Sequence, residues 1–219
     1  MSAPTEGAAA IVLAAGEARR FGGPKLIMPF GASTVIGCVV SALARAGVEP
    51  IIVVVGANRA EIEGALAGAD VQLVLRSEGA SLLRRVAIVE NPDPSRGMLS
   101  SVQVGVAAVP ESAVRFAIAL ADQPRLRAED ITRLIGEMAR SGKGIARPVH
   151  GGKRGHPVVF ASCYRNEILA LPPEATLRDV IHRHLDDVVE VGVASDAFVR
   201  DIDTQEQYQN ERRRAEAER

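Results

Sequence analysis

Ile11-Val12-Leu13-Ala14-Ala15-Gly16-Glu17-Ala18-Arg19-Arg20-Phe21-Gly22-Gly23-Pro24-Lys25 decides the reading of this chain: a continuous apolar run breaks into small residues and then gathers three cations. The apolar start suits a strand covered on both faces, and Ala-Ala-Gly lets a ligand approach the main chain. Backbone N–H groups in such a loop hold phosphate oxygens, Arg20 adds a planar fork and Lys25 a mobile point charge. The stretch reads as a triphosphate cradle. Two other phosphate loops do not fit. A Walker A loop needs Gly-Lys-Ser/Thr where the chain has Phe21-Gly22-Gly23, and a dinucleotide fingerprint needs glycine at Ala18 and Phe21.

Outward from the cradle the pattern alternates. Ser33 or Thr34 can cap a helix with Val35, Ile36, Val39, Val40 and Leu43 on one face, and Gly47 can close it. Residues 50–55 read as a buried strand, 59–66 as a short helix and 71–75 as a further strand. Residues 76–85 carry three arginines without a clear period and lead into a strand at 86–89. Then come a loop at 91–97, a helix over 98–109, a buried strand at 116–120 ending in Ala121-Asp122-Gln123-Pro124, and a helix to about 140. After a glycine-rich interruption at 150–157, a strand at 158–160, helices over 164–171 and 176–185 and a strand at 188–193 follow; 205–219 reads as an exposed helix that frays. This βαβ rhythm, with no internal repeat or linker, predicts one doubly wound α/β domain over 9–208, flanked by a flexible N-terminus at 1–8 and a polar C-terminal tail at 209–219.

Composition narrows the function classes. With 219 residues, 47% of them hydrophobic and 24% charged, the chain can bury one sizeable core. A formal net charge of -1 excludes the global basic field that drives nucleic-acid binding, and 3% aromatic residues leave no stacking platform. Cys38 and Cys163 lack zinc or disulfide spacing, and the apolar run ending at Gly16 is too short to span a bilayer, so a cytoplasmic location without membrane partners is expected.

Asp122 at a strand end and Asp203 in Asp201-Ile202-Asp203 can together hold a divalent cation, because Mg²⁺ takes one or two carboxylates with waters and substrate phosphates. The competing reading has each aspartate capping the helix after it. His182, His184 and Asp186 superficially resemble a metal cluster, but residues two apart on a helix do not face each other. His156, beside Lys153 and Arg154, is placed to meet an anionic substrate or to serve a turn.

These pieces together resemble the MobA-like nucleotidyltransferases, most nearly the molybdenum cofactor cytidylyltransferases, from Ile11 to about Tyr208. The carriers are Leu13-Ala14-Ala15-Gly16 with Arg20, Gly22 and Lys25; Asn91 with Gly97-Met98-Leu99-Ser100-Ser101; Ala121-Asp122-Gln123-Pro124; Gly155-His156-Pro157-Val158; and Asp201-Ile202-Asp203-Thr204. Ala18 departs from the small hydroxyl residue common in the signature loop. The resemblance implies a single Rossmann-like, doubly wound, mostly parallel sheet of the nucleotide-diphospho-sugar transferase type. It implies CTP or another NTP bound by Leu13, Ala14, Ala15, Gly16, Arg20 and Lys25, with Asn91, Gly97, Ser100 and Ser101 lining the base and ribose. Ala15, where guanylyl-transferring relatives tend to have glycine, favours cytosine. Arg20, Lys25 and Asp122 would be catalytic, Asp122 and Asp203 would hold Mg²⁺ with Mn²⁺ as an alternative, and Arg147, Lys153, Arg154 and His156 would receive a molybdopterin-type acceptor. A molybdoenzyme or its chaperone would be the downstream partner. The same chemistry on another phosphorylated acceptor, and a catalytically silent accessory protein that binds nucleotide, remain open; a nicotinamide-dependent reductase is disfavoured by the failed fingerprint.

Overall fold

A computed structural model describes residues 4–16, 20–67 and 86–217. The expected strand at 71–75 and the arginine-bearing stretch at 76–85 lie outside the described residues. Strand β1 (Ala8–Leu13) is central because both of its faces are apolar: Ala8, Ala10 and Val12 enter one core, Ala9 and Ile11 the other. It runs parallel to β4 (Ile51–Val55) on one side and β6 (Arg115–Leu120) on the other, and β5 (Val86–Glu90) extends the sheet beyond β4. Beyond β6 come β9 (Val158–Ala161), β7 (Ile145–His150) and β10 (Val188–Gly192), with β8 (Lys153–Arg154) paired to β7. Among the described residues, only β9 and β8 run against the parallel direction of this sheet, β9 pairing antiparallel with both β6 and β7. The expected α/β, mostly parallel sheet is what is observed. Short strands β2 (Pro29–Phe30) and β3 (Ser33–Thr34) form a separate hairpin after the cradle.

Helix α1 (Val35–Arg45) begins where expected, and the choice of cap is settled: the Thr34 hydroxyl accepts from Gly37 N at 3.1 Å. With α2 (Arg59–Leu66) and α4 (Ala128–Ser141), α1 covers one face of the sheet. Helix α3 (Met98–Ala108) covers the other, with α5 (Arg165–Leu169) and α6 (Leu177–Arg183) beyond it. A side chain at Gly105 would place Cβ 2.4 Å from Ile11 Cγ2, so glycine is what lets α3 lie directly on β1. No described helix is long and apolar enough to cross a membrane.

The C-terminal segment forms the expected helix, α7 (Gln205–Ala217), and most of it is exposed, but it docks through two buried positions. Tyr208 is fully buried, stacks edge-on against Phe21 with centroids 6.0 Å apart and donates its hydroxyl proton to Pro29 O. Glu211 is buried against Arg125 at 2.8 Å. The sequence boundary at 208 therefore falls inside a packed helix, because a few inward positions suffice to dock an otherwise polar element. At the other end, β1 opens at Ala8, one residue before the expected domain start, and Thr5 is buried.

Candidate active site

Strand order β5-β4-β1-β6 places the carboxyl ends of four parallel strands side by side, with β1 at the switch in chain direction where open α/β sheets leave a crevice. From β1 the chain passes into Ala14, Ala15 and Gly16; from β4 into Gly56 and Asn58; from β5 into Asn91; from β6 into Asp122. A cavity of about 640 Å³ opens over these ends, lined among others by Ala15, Gly16, Lys25, Asn58 and Asn91. That volume lies within the usual range for small-molecule sites.

Lys25 is the centre of charge. Its Nζ donates to Asp122 Oδ2 at 2.6 Å, to the Ile202 carbonyl at 2.6 Å and to Asp203 Oδ1 at 3.3 Å, with only 12% of its side chain exposed. Arg20, largely in solvent, meets Asp203 Oδ2 at 3.0 Å. The four charged residues singled out from sequence are thus brought together as one cluster. The helix-cap alternative for the aspartates does not hold: α4 has Arg127 at its N-cap with no side-chain cap, and Thr204, not Asp203, accepts from Gln207 N. Burial, then the charges of Asp122 and Asp203, push the Asp201 carboxyl above its ordinary value.

The carboxylates fit a divalent cation on one structural observation: oxygens of Asp122 and Asp203 already converge on a single ammonium together with a backbone carbonyl. Among the described residues no group of three or more His, Cys, Asp or Glu is arranged to hold a metal. Two carboxylates leaving positions for water and phosphate are what Mg²⁺ or Mn²⁺ accepts.

Asn91 lines the first cavity, but its side chain is committed within the protein. It is buried, its Nδ2 donates to Ser100 Oγ and Ser101 Oγ at 2.9 Å each, and its Oδ1 accepts from Asp93 N at 3.0 Å. Ser100 and Ser101 are buried as well, so the three side chains spend their polar atoms fastening the 91–97 loop onto α3. Gly97, at φ 93°, makes the turn between that loop and the helix.

Gly56 and Asn58 were not among the residues singled out from the sequence. Asn58 Nδ2 donates to Ala14 O at 3.1 Å while its Oδ1 accepts from Gly56 N at 3.1 Å, tying the β4 loop to the cradle. A Cβ at Gly56 would lie 3.2 Å from Ala15 O. The Gly-x-Asn triplet after a buried strand was the available signal.

A second cavity, about 1030 Å³, lies beside the first. Its lining includes Gln123 and Asp201, the immediate neighbours of Asp122 and Ile202, while Lys25 lines the first cavity, so the charged cluster borders both through its own members or their chain neighbours. All four expected acceptor residues line it, in different states. Arg147 is buried and donates through Nε and Nη2 to Glu190 Oε1 at 3.0 and 2.6 Å; Arg154 Nε donates to the same oxygen at 2.9 Å. Those hydrogen bonds, Arg154's first, hold the Glu190 carboxyl below its ordinary value. Lys153 is exposed. His156 is half-buried, its backbone N donates to Phe198 O at 2.9 Å, and burial drives its pKa down to about 4, so the imidazole is neutral at pH 7. His184 Nε2 pairs with Glu167 at 2.8 Å.

A family model, the MobA-like NTP transferase domain, matches residues 10–188. Among curated proteins, the nicotine blue oxidoreductase of Paenarthrobacter nicotinovorans is 28% identical over 204 residues, covering 90% of this chain and 92% of its own. Among solved structures, Rv0371c of Mycobacterium tuberculosis H37Rv superposes with a TM-score of 0.74 at 25% identity, covering 96% of this chain and 98% of that one. The same mycobacterial protein has also been solved in complex with manganese. A nucleotidyl transferase from Methanothermobacter superposes with a TM-score of 0.71 at 21% identity, over 94% of this chain and 96% of its own, a likeness of fold.

Proposed function

This chain belongs to the MobA-like NTP transferase family, and from that membership we propose that it transfers a nucleotidyl group, CMP from CTP, to the terminal phosphate of a molybdopterin-type acceptor. The observation that carries the reading is the cluster of Lys25, Arg20, Asp122 and Asp203, in which Lys25 lines the first cavity and the chain neighbours Gln123 and Asp201 line the second. A phosphoryl-type displacement between two bound anions needs charge of both signs at that point.

In this reading the nucleotide lies over the cradle in the first cavity. Ala15 and Gly16 offer main-chain N–H groups to its phosphates, and Arg20 and Lys25 leave their carboxylate partners to take up the charge of the departing pyrophosphate. An acceptor phosphate oxygen forms the new bond to the α-phosphorus while the bond to the β-phosphate oxygen breaks. No protein nucleophile takes part. Mg²⁺ or Mn²⁺ held by Asp122 and Asp203 would screen the mutual repulsion of the phosphates. Asn91, Ser100 and Ser101 act one step removed, by fixing the loop that walls the nucleotide cavity.

A second reading is favoured by the curated relative, whose name is that of an oxidoreductase. A hydride transfer has no use for two carboxylates beside a phosphate loop, which is why we place it second. The deciding experiment measures pyrophosphate release by the full chain with Mg²⁺ and each of CTP, GTP, ATP and UTP, with and without molybdopterin, alongside oxidation of reduced nicotinamide cofactor with nicotine blue supplied as the hydride acceptor. Release confined to CTP plus molybdopterin is the expected result. Silence with every nucleotide together with nicotinamide oxidation would replace this reading with the second one.

A further inference from the structure

The second cavity carries more information about its occupant than the arginines first singled out there. Its lining holds five cationic residues, Arg96, Arg147, Lys153, Arg154 and Arg178, against two carboxylic acids, Glu174 and Asp201. Arg147 and Arg154 are both committed to Glu190, at 2.6 and 2.9 Å. Arg96, Lys153 and Arg178 are exposed, and their side chains have no hydrogen bond or ion pair among the described residues. They come from three separate elements: the 3₁₀ turn Pro94–Arg96 before α3, strand β8 and helix α6.

Position strengthens the distinction. The turn bearing Arg96 is the wall between the cavities, since Pro94 and Ser95 line the first and Arg96 the second. Arg178 lies close enough to His156 to disfavour protonation of its imidazole, and Asp122 acts on the same ring in the opposite sense. Between these cations the cavity is lined by apolar side chains, among them Leu99, Val102, Leu120, Ile181 and Phe198. At about 1030 Å³ it stands at the upper end of the range for small-molecule sites. A small phosphorylated hydroxy acid would leave most of that apolar lining unused.

We propose that Arg96, Lys153 and Arg178 are the specificity-determining contacts for the anionic end of the acceptor, and that the apolar lining between them packs against the faces of its ring. Arg147 and Arg154 hold the strand edge beneath them through Glu190. The proposal rests on the nucleotidyl-transfer reading only for calling this molecule the acceptor.

The test is calorimetric binding of 1-naphthyl phosphate, inorganic phosphate and 1-naphthol to the full chain at low ionic strength, without nucleotide. The aromatic phosphate should bind at least about tenfold more tightly than either fragment, and Arg96→Met or Arg178→Met should each weaken it about fivefold or more. Arg213→Met, an equal loss of charge on the exposed face of α7, should leave it unchanged. Both tested arginines are exposed and unpartnered, so the variants should fold, as circular dichroism will show. Binding unaltered in both variants would overturn the proposal, as would inorganic phosphate binding as tightly as the aromatic ester. Loss on Lys25→Met but not on Arg178→Met would place the probe in the first cavity and overturn it too. Because no nucleotide is present, pyrophosphate release can fail while this binding persists, and the reverse.

Discussion

Lys25 shows how one side chain can hold a site in readiness. Its ammonium occupies a seat of three oxygens, Asp122 Oδ2, Asp203 Oδ1 and Ile202 O, that would otherwise leave two carboxylates facing each other in a partly buried place. Lys25→Met should lower kcat/KM for the nucleotide about a hundredfold, as loss of a donor to developing charge does. The same variant should gain more thermal stability from Mn²⁺ in the absence of nucleotide than the wild type does, because the metal then has no ammonium to displace. Thermal melts with and without Mn²⁺ check this; equal shifts in the two proteins would count against it. His156 gives a pH prediction. Its folded pKa is about 4 against 6.5 for the free side chain, so the unfolded chain takes up the proton first as pH falls. The contribution is complete above pH 6.5 and is lost between there and pH 4, at most about 3 kcal/mol. Asp201, with its pKa raised, acts with the opposite sign, so the measurement is urea unfolding of wild type against His156→Gln at each pH. The slope between pH 6.5 and 4 should be shallower in the variant.

At the level of elements, the 155–157 segment is held where two backbones nearly touch. A Cβ on Gly155 would lie 2.0 Å from Phe198 O, the carbonyl that accepts from His156 N at 2.9 Å and from Gln123 Nε2 at 3.3 Å. That carbonyl joins the β8–β9 connection, the Asp122 loop and the segment leading to Asp203. Gly155→Ala must push these apart, and overpacking of this kind costs about 1–3 kcal/mol. Activity should fall further than stability alone explains, since Asp122 and Asp203 sit on two of the displaced segments; an unfolding midpoint and a kcat/KM for each protein separate the effects. By contrast, the capping box of α6, Thr176 with Asp179, is a local device readable from four consecutive residues.

Across the whole molecule, Arg125 acts as the brace. Its guanidinium donates to Asp196 at 3.0 Å and to Glu211 at 2.8 Å, and Asp196 also meets Arg200 and Arg214 at 2.5 and 2.6 Å. Three parts of the chain that are distant in sequence, the loop after β6, the approach to Asp201 and helix α7, are clamped together behind the charged cluster. Glu211→Gln keeps the shape and removes the charge. It should lower the urea unfolding midpoint by an amount equivalent to about 1–3 kcal/mol, because Arg125 is buried and keeps only part of its compensation. An unchanged midpoint would show that the Arg125–Glu211 pair does not hold α7 in place.

What the sequence determined by itself is whatever follows from local pattern: the strands read at 50–55, 116–120 and 158–160, the helices read from Val35, over 59–66 and to about 140, the small-residue cradle and Asp122 at its strand end, though not the buried strand β7. Apolar runs and glycine breaks carry those readings because burial on both faces and close backbone approach restrict residue type at the position itself. Pairing across the sheet was beyond that pattern. Nothing local shows that Lys25 meets Asp122, 97 residues away, or that Glu190 captures Arg147 and Arg154, leaving Arg96, Lys153 and Arg178 as the open cations of the second cavity. Nor could composition reveal that α7 docks through Tyr208 and Glu211. A charge is defined by its residue, but its partner is set by which strand ends the topology lays side by side, and that only the tertiary structure decided.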